Sequence, residues 1–120
     1  MPVRSLHSSV MKWPDRAAVA RCVRAWAAVE GSRRPEVRRI GYFGSLGRGD
    51  WGVGSDVDLL IIVDRAAEPF ERRAIDWDTG GLPVPADVLV YTLSEWEQMH
   101  PGSRFRRTLD EELHWVYERG

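Results

Sequence analysis

The run Ser55-Asp-Val-Asp-Leu-Leu-Ile-Ile-Val-Asp64 constrains the fold more than any other stretch of the chain. Its β-branched and apolar residues read as a central strand covered on both faces, since a strand with one wet face would alternate with polar residues. Asp64 ends it. Two carboxylates, Asp56 and Asp58, stand at its mouth. Strand residues i and i+2 point to the same face, about 6.6 Å apart at ~3.3 Å per residue, so these two lean together. Ionised side by side next to an apolar strand, they repel each other and are poorly solvated, an arrangement that is costly unless a cation neutralises it. Oxygen-only ligation of this kind suits Mg²⁺, which takes one or two protein carboxylates and completes its shell with water and substrate phosphate.

The surrounding pattern supplies a matching anion site. Val37 to Phe43 reads as a strand that ends in Gly44-Ser45 and turns into a short helix over 45 to 49, offering backbone N–H groups and a hydroxyl to an anion. Gly47, Gly49, Gly52 and Gly54 then make an irregular crossing to the central strand. Upstream, Pro14-Asp15 opens a helix with Ala17, Val19, Ala20, Val23, Trp26, Ala27 and Val29 at helical spacing, stopped by Gly31-Ser32. Met1 to Trp13 shows no period and reads as a mobile lead-in or a short first turn. Downstream, Pro69 to Trp77 reads as a short helix with Glu71, Arg72 and Arg73 on a charged face, and Ala86 to Tyr91 as a third strand. Thr92 or Ser94 caps a helix through Met99, and Arg104 to Leu113 forms a last helix. The expected fold class is α/β, a small mixed sheet flanked by helices, in one domain over residues 1–120.

Composition narrows the partners. A net charge of -1 gives no electrostatic case for nucleic acid or an anionic membrane. The apolar run Val57 to Val63 is far shorter than the ~20 residues that span a bilayer. A lone cysteine, Cys22, forms no internal disulfide, which points to the cytoplasm, and its place near Val19, Val23 and Trp26 predicts a small buried residue. His7, His100 and His114 lack metal-ligand spacing. Gly47-Arg48-Gly49-Asp50-Trp51-Gly52 matches the dinucleotide fingerprint in letters, but the next strand follows too soon for a crossover helix. Asp78-Thr79-Gly80 has the letters of an aspartic-protease triplet without the apolar strand that would precede it. Of six tryptophans, Trp26, Trp96 and Trp115 fall on apolar faces, while Trp51 and Trp77 lie in connections where they either pack or stack on a ligand.

The segment "GSLGRGDWGVGSDVDLLIIV" resembles the signature of minimal nucleotidyltransferases of the DNA polymerase beta superfamily, where Gly-Ser precedes Ser-Asp-x-Asp-Leu. The likeness extends to "PADVLVYTLSEWEQM", whose Asp87 matches the third carboxylate of the family, and to "FRRTLDEELHWVYER", similar to its closing helix and strand. By this resemblance Asp56, Asp58 and Asp87 are the metal-binding and catalytic set: the first two hold Mg²⁺ and the triphosphate, and the third shares a second ion and helps deprotonate the attacking hydroxyl. Gly44 and Ser45 hold the β and γ phosphates, with Arg48 and Ser55 completing the nucleotide site. The implied reaction transfers a nucleoside monophosphate, with ATP the expected donor, to a hydroxyl by two-metal in-line displacement. Leu46 and Gly47 depart from the family, in which a basic residue and an alanine commonly follow Gly-Ser. The resemblance further implies a partner, a HEPN-domain toxin silenced by modification of a tyrosine, this chain being the antitoxin. A small-molecule acceptor of aminoglycoside type, fed by the acidic stretch Glu68, Glu71, Asp76 and Asp78, and neutralisation by contact alone are the alternatives.

Overall fold

The computed structural model describes residues 13–119. The lead-in expected over 1 to 13 lies, except for Trp13, outside the described residues.

Helix α1, Arg16–Arg33, begins where Asp15 accepts a hydrogen bond from the Ala18 N–H at 2.8 Å. Its buried stripe is narrow, running through Val19, Val23, Ala27 and Gly31 at intervals of one turn. Two expectations are corrected here. Cys22 falls beside the stripe and is exposed. Gly31 does not stop the helix, because a Cβ at that position would run into the Tyr117 ring: the residue is small so that α1 can approach the sheet. The helix closes two residues later, with the buried Glu30 accepting from Arg33 at 2.9 Å and Arg34 at 3.1 Å.

The sheet has the order β3-β2-β1-β4. Strand β1, Val37–Phe43, runs antiparallel to both β2, Val57–Val63, and β4, His114–Glu118. Strand β3, Ala86–Thr92, lies parallel to β2, so the sheet is mixed and the two expected neighbours, ending at Phe43 and following Ser55, are adjacent. As its composition requires, β2 is buried on both faces. Leu59 and Ile61 face Val19, Val23 and Ala27 of α1, while Leu60 and Ile62 face Leu109 of α5, Arg104–Glu112. Fully burying one such aliphatic side chain is worth about 1.5–3 kcal/mol, which makes β2 the anchor of both core layers.

Between β2 and β3 the chain makes a short helix α3, Phe70–Arg73, and a 3₁₀ turn, Ala74–Asp76. The helix is shorter than the pattern predicts, and Arg73 is not on a charged outer face but buried. Its guanidinium grips Glu95 at 2.6 and 3.0 Å and also donates to the carbonyls of Glu68 and Val90, so every side of it is engaged. Glu95 belongs to the capping box of α4, Leu93–Gln98, in which Thr92 is the cap. Ser103 caps α5. No helix among the described residues is long and apolar enough to cross a membrane.

Candidate active site

Strand register builds the site. Asp58 lies opposite Phe43 on β1 and opposite Asp87 on β3. Register partners on adjacent parallel strands share a face, as Asp58 and Asp87 do, while Asp56 precedes β2 by one residue and is near enough for its charge to act on Asp58. Asp58 and Asp87 therefore stand at one end of the β2–β3 pair, on the face that carries Leu60, Leu89 and Leu109, with Asp56 just before the strand. Asp58 is half-buried, and Asp56 and Asp87 are exposed.

Burial pushes the Asp58 carboxyl above its ordinary range, and the charges of Asp87 and Asp56 push it further, while Arg48 opposes the shift. That is the signature of acids placed together without enough cation. Among the described residues, no group of three or more aspartate, glutamate, histidine or cysteine side chains is placed to hold a metal ion. Mg²⁺ does not need one, because water and phosphate fill most of its shell. Adjacent, mutually repelling carboxylates, two of them free to swing in from solvent, fit such an ion.

The turn before the site is shaped by the same aspartate. Gly44 has φ 72°, and a Cβ there would overlap the Asp58 carboxylate, so glycine is required on both counts. The next residues form the short helix α2, Ser45–Arg48. The Gly44 N–H donates to Glu112 Oε1 at 3.1 Å, whereas the Ser45 hydroxyl makes no hydrogen bond among the described residues. Arg48 reaches Asp50 through Nε at 3.1 Å and Glu112 through Nη1 at 3.3 Å. Ser55 Oγ accepts from the Gly52 N–H at 3.1 Å and ties down the glycine-rich crossing one residue before Asp56. Gly47 also has a reason: a Cβ there would collide with the Glu112 carbonyl where α5 ends against α2.

A cleft of about 560 Å³ opens beside Asp58 and Asp87, walled by Phe43, Leu89, Trp77 and Thr79 among others. Sequence reasoning gave Phe43, Leu89 and Thr79 no role, since wall residues carry no motif. Trp77 turns out 8% exposed, packed 6.1 Å from Trp26 under the Arg34 guanidinium. Trp51 is half-buried, its Nε1 donating to the Pro14 carbonyl at 2.9 Å. Glu112 was also missed. Its signal was present in Asp110-Glu111-Glu112, three acids in the last turn of a helix, where the macrodipole disfavours negative charge.

The site is thus a mixed sheet with Asp58 and Asp87 paired across parallel strands beside the Gly44-Ser45 turn. Residues 28–113 match the family described as "Nucleotidyltransferase domain", and the chain belongs to that family. Among solved structures it is similar in fold to one described as a "putative nucleotidyltransferase" from Sulfolobus solfataricus. That protein is 18% identical, with 87% of this chain and 84% of that one covered at a TM-score of 0.62. No curated protein matches.

Proposed function

We propose that this single-domain chain transfers AMP from ATP to a hydroxyl acceptor, using Mg²⁺ held by Asp56, Asp58 and Asp87, and that the acceptor is a tyrosine of a HEPN-domain partner. The observation that carries this reading is the registration of Asp58 with Asp87 across the parallel β2–β3 pair. When bound, the ion supplies Lewis acidity at the reacting phosphate and lowers the pKa of the attacking hydroxyl.

The chain's own groups divide the remaining work. Asp58, half-buried against Gly44, is the fixed ligand; Asp56 and Asp87, exposed on either side, are the adjustable ones. Asp87 lines the cleft and is the group placed to take the proton of an incoming hydroxyl. With the Gly44 N–H engaged by Glu112, the phosphate contacts fall to the Ser45 hydroxyl and to Arg48, and Ser55 shapes the approach to Asp56. The apolar and aromatic walls of the cleft favour an aromatic hydroxyl. None of Glu68, Glu71, Asp76 and Asp78 lines this cleft, which favours tyrosine over a polycationic drug as the acceptor.

Thermal melts with Mg²⁺ and each nucleoside triphosphate test the nucleotide half. ATP with Mg²⁺ at 100 times its Kd adds roughly 2.7 kcal/mol of stability, while either alone adds little. Incubation of the copurified HEPN-domain neighbour with Mg²⁺ and ATP then shifts the mass of a tyrosine peptide by one AMP. Failure of ATP to stabilise the protein defeats the nucleotide assignment, and an unmodified neighbour defeats the acceptor.

A further inference from the structure

Glu112 holds a position that its own helix does not explain. Asp110, Glu111 and Glu112 close α5 with no basic residue in the last turn. Asp110 and Glu111 face solvent, but the Glu112 side chain is 12% exposed and turned toward the Gly44 turn. There Oε1 accepts from the Gly44 N–H at 3.1 Å and from Arg48 Nη1 at 3.3 Å, with Oε2 also 3.3 Å from Nη1. Gly44 is buried, so without this carboxylate its N–H would be left unpaired. Gly47, open to the close approach of the Glu112 carbonyl, is what lets the end of α5 come so near. His114 Nε2 meets the Gly47 carbonyl at 3.1 Å and fixes the same junction from the other side.

The consequence falls on Arg48. A guanidinium is a rigid planar fork, so holding two of its edges fixes the third. Asp50 holds Nε and Glu112 holds Nη1, whereas Nη2 makes no hydrogen bond among the described residues. An arginine half-exposed at the surface would otherwise lose side-chain freedom on gripping a phosphate, and here that ordering precedes binding. We infer that Glu112 is a positioning residue for the donor nucleotide: with Asp50 it aims the free Nη2 edge of Arg48 at the phosphates. The inference rests on the nucleotidyltransferase reading above and extends it to a residue that no motif marks.

Calorimetric titration with ATP and Mg²⁺ tests it on wild type, Glu112→Ala, Glu112→Gln, Arg48→Ala and Arg48→Ala/Glu112→Ala, each also melted without ligand. Glu112→Ala is expected to weaken binding about tenfold, and Glu112→Gln about threefold or less, because its amide oxygen can still accept from Arg48. In the Arg48→Ala background, loss of Glu112 should add less than about twofold, the non-additivity of residues that act through one another. Should Glu112→Ala not fold, Glu112→Gln and its double variant with Arg48→Ala complete the same cycle. Unchanged affinity with a lowered melting temperature would reduce Glu112 to a structural cap and overturn the inference. So would an equal loss with and without Arg48, or tighter binding, which would make Glu112 a competitor of the phosphate. Wild type silent toward ATP with Mg²⁺ would instead sink the nucleotide assignment itself.

Discussion

Opposite ends of the β2–β3 pair treat acidic residues in opposite ways. At the far end Glu95 is bound by Arg73 through two hydrogen bonds, and this contact pulls its carboxyl down to about 2. Glu30 is likewise shared between Arg33 and Arg34. At the near end, burial and the charges of Asp87 and Asp56 push Asp58 upward, with Arg48 as the countervailing cation. Acids matched to arginines stabilise the fold, whereas acids set against one another subtract from it. A chain tolerates the second arrangement where a ligand removes the deficit, and this is why perturbed carboxyls gather at functional sites.

The sharpest break in this contrast comes from Asp58→Asn. Transfer should fall by about a hundredfold or more, the scale seen when a group that stabilises developing charge is removed, while the melting temperature without ligand holds or rises. A melting temperature that drops while transfer survives would show Asp58 to be a structural acid like Glu95. At the other end Glu95→Ala should leave transfer intact and lower stability. A buried arginine stripped of its partner costs about 3–5 kcal/mol, and the solvent exposure of Glu95 discounts this to about 2 kcal/mol by denaturant titration.

Acid titration sharpens the same comparison. The Glu95 carboxyl binds its proton less readily when folded than when unfolded, so its contribution is complete above its ordinary 4.5 and is lost as the pH falls toward about 2. Melts across that window should show a slope in wild type that Glu95→Ala flattens; an unchanged slope would mean that Arg73 does not hold Glu95 ionised. The smallest effect is expected from Cys22→Ser, within about 0.5 kcal/mol, since the thiol faces solvent. A larger loss would return Cys22 to the core.

Much of this architecture was legible. The uninterrupted apolar run of β2 demanded cover on both faces, and α1 and α5 supply it. Asp15 announced a helix start, and Thr92 was one of two candidates for another, because a cap is a local interaction. The errors share a cause. The sequence pattern makes Gly31 a stop and Arg73 a surface charge, whereas each is decided by a distant residue, Tyr117 in one case and Glu95 in the other. Cys22 was placed inside because the buried stripe of α1 depends on how the helix sits on the sheet, which periodicity alone leaves open by tens of degrees. In the site, Asp56 and Asp58 are legible as a pair by closeness in sequence, whereas Glu112 is out of view, 68 residues from the Gly44 amide it receives.

What the chain determines locally is the identity of its elements and the placing of two carboxylates at the mouth of β2, since these are neighbours along the backbone. Which third acid joins them, which wall they face and which glutamate steadies the neighbouring arginine were decided only when β3 paired in register with β2 and α5 docked on α2. Those contacts join residues far apart in sequence, and their geometry exists only in the packed molecule.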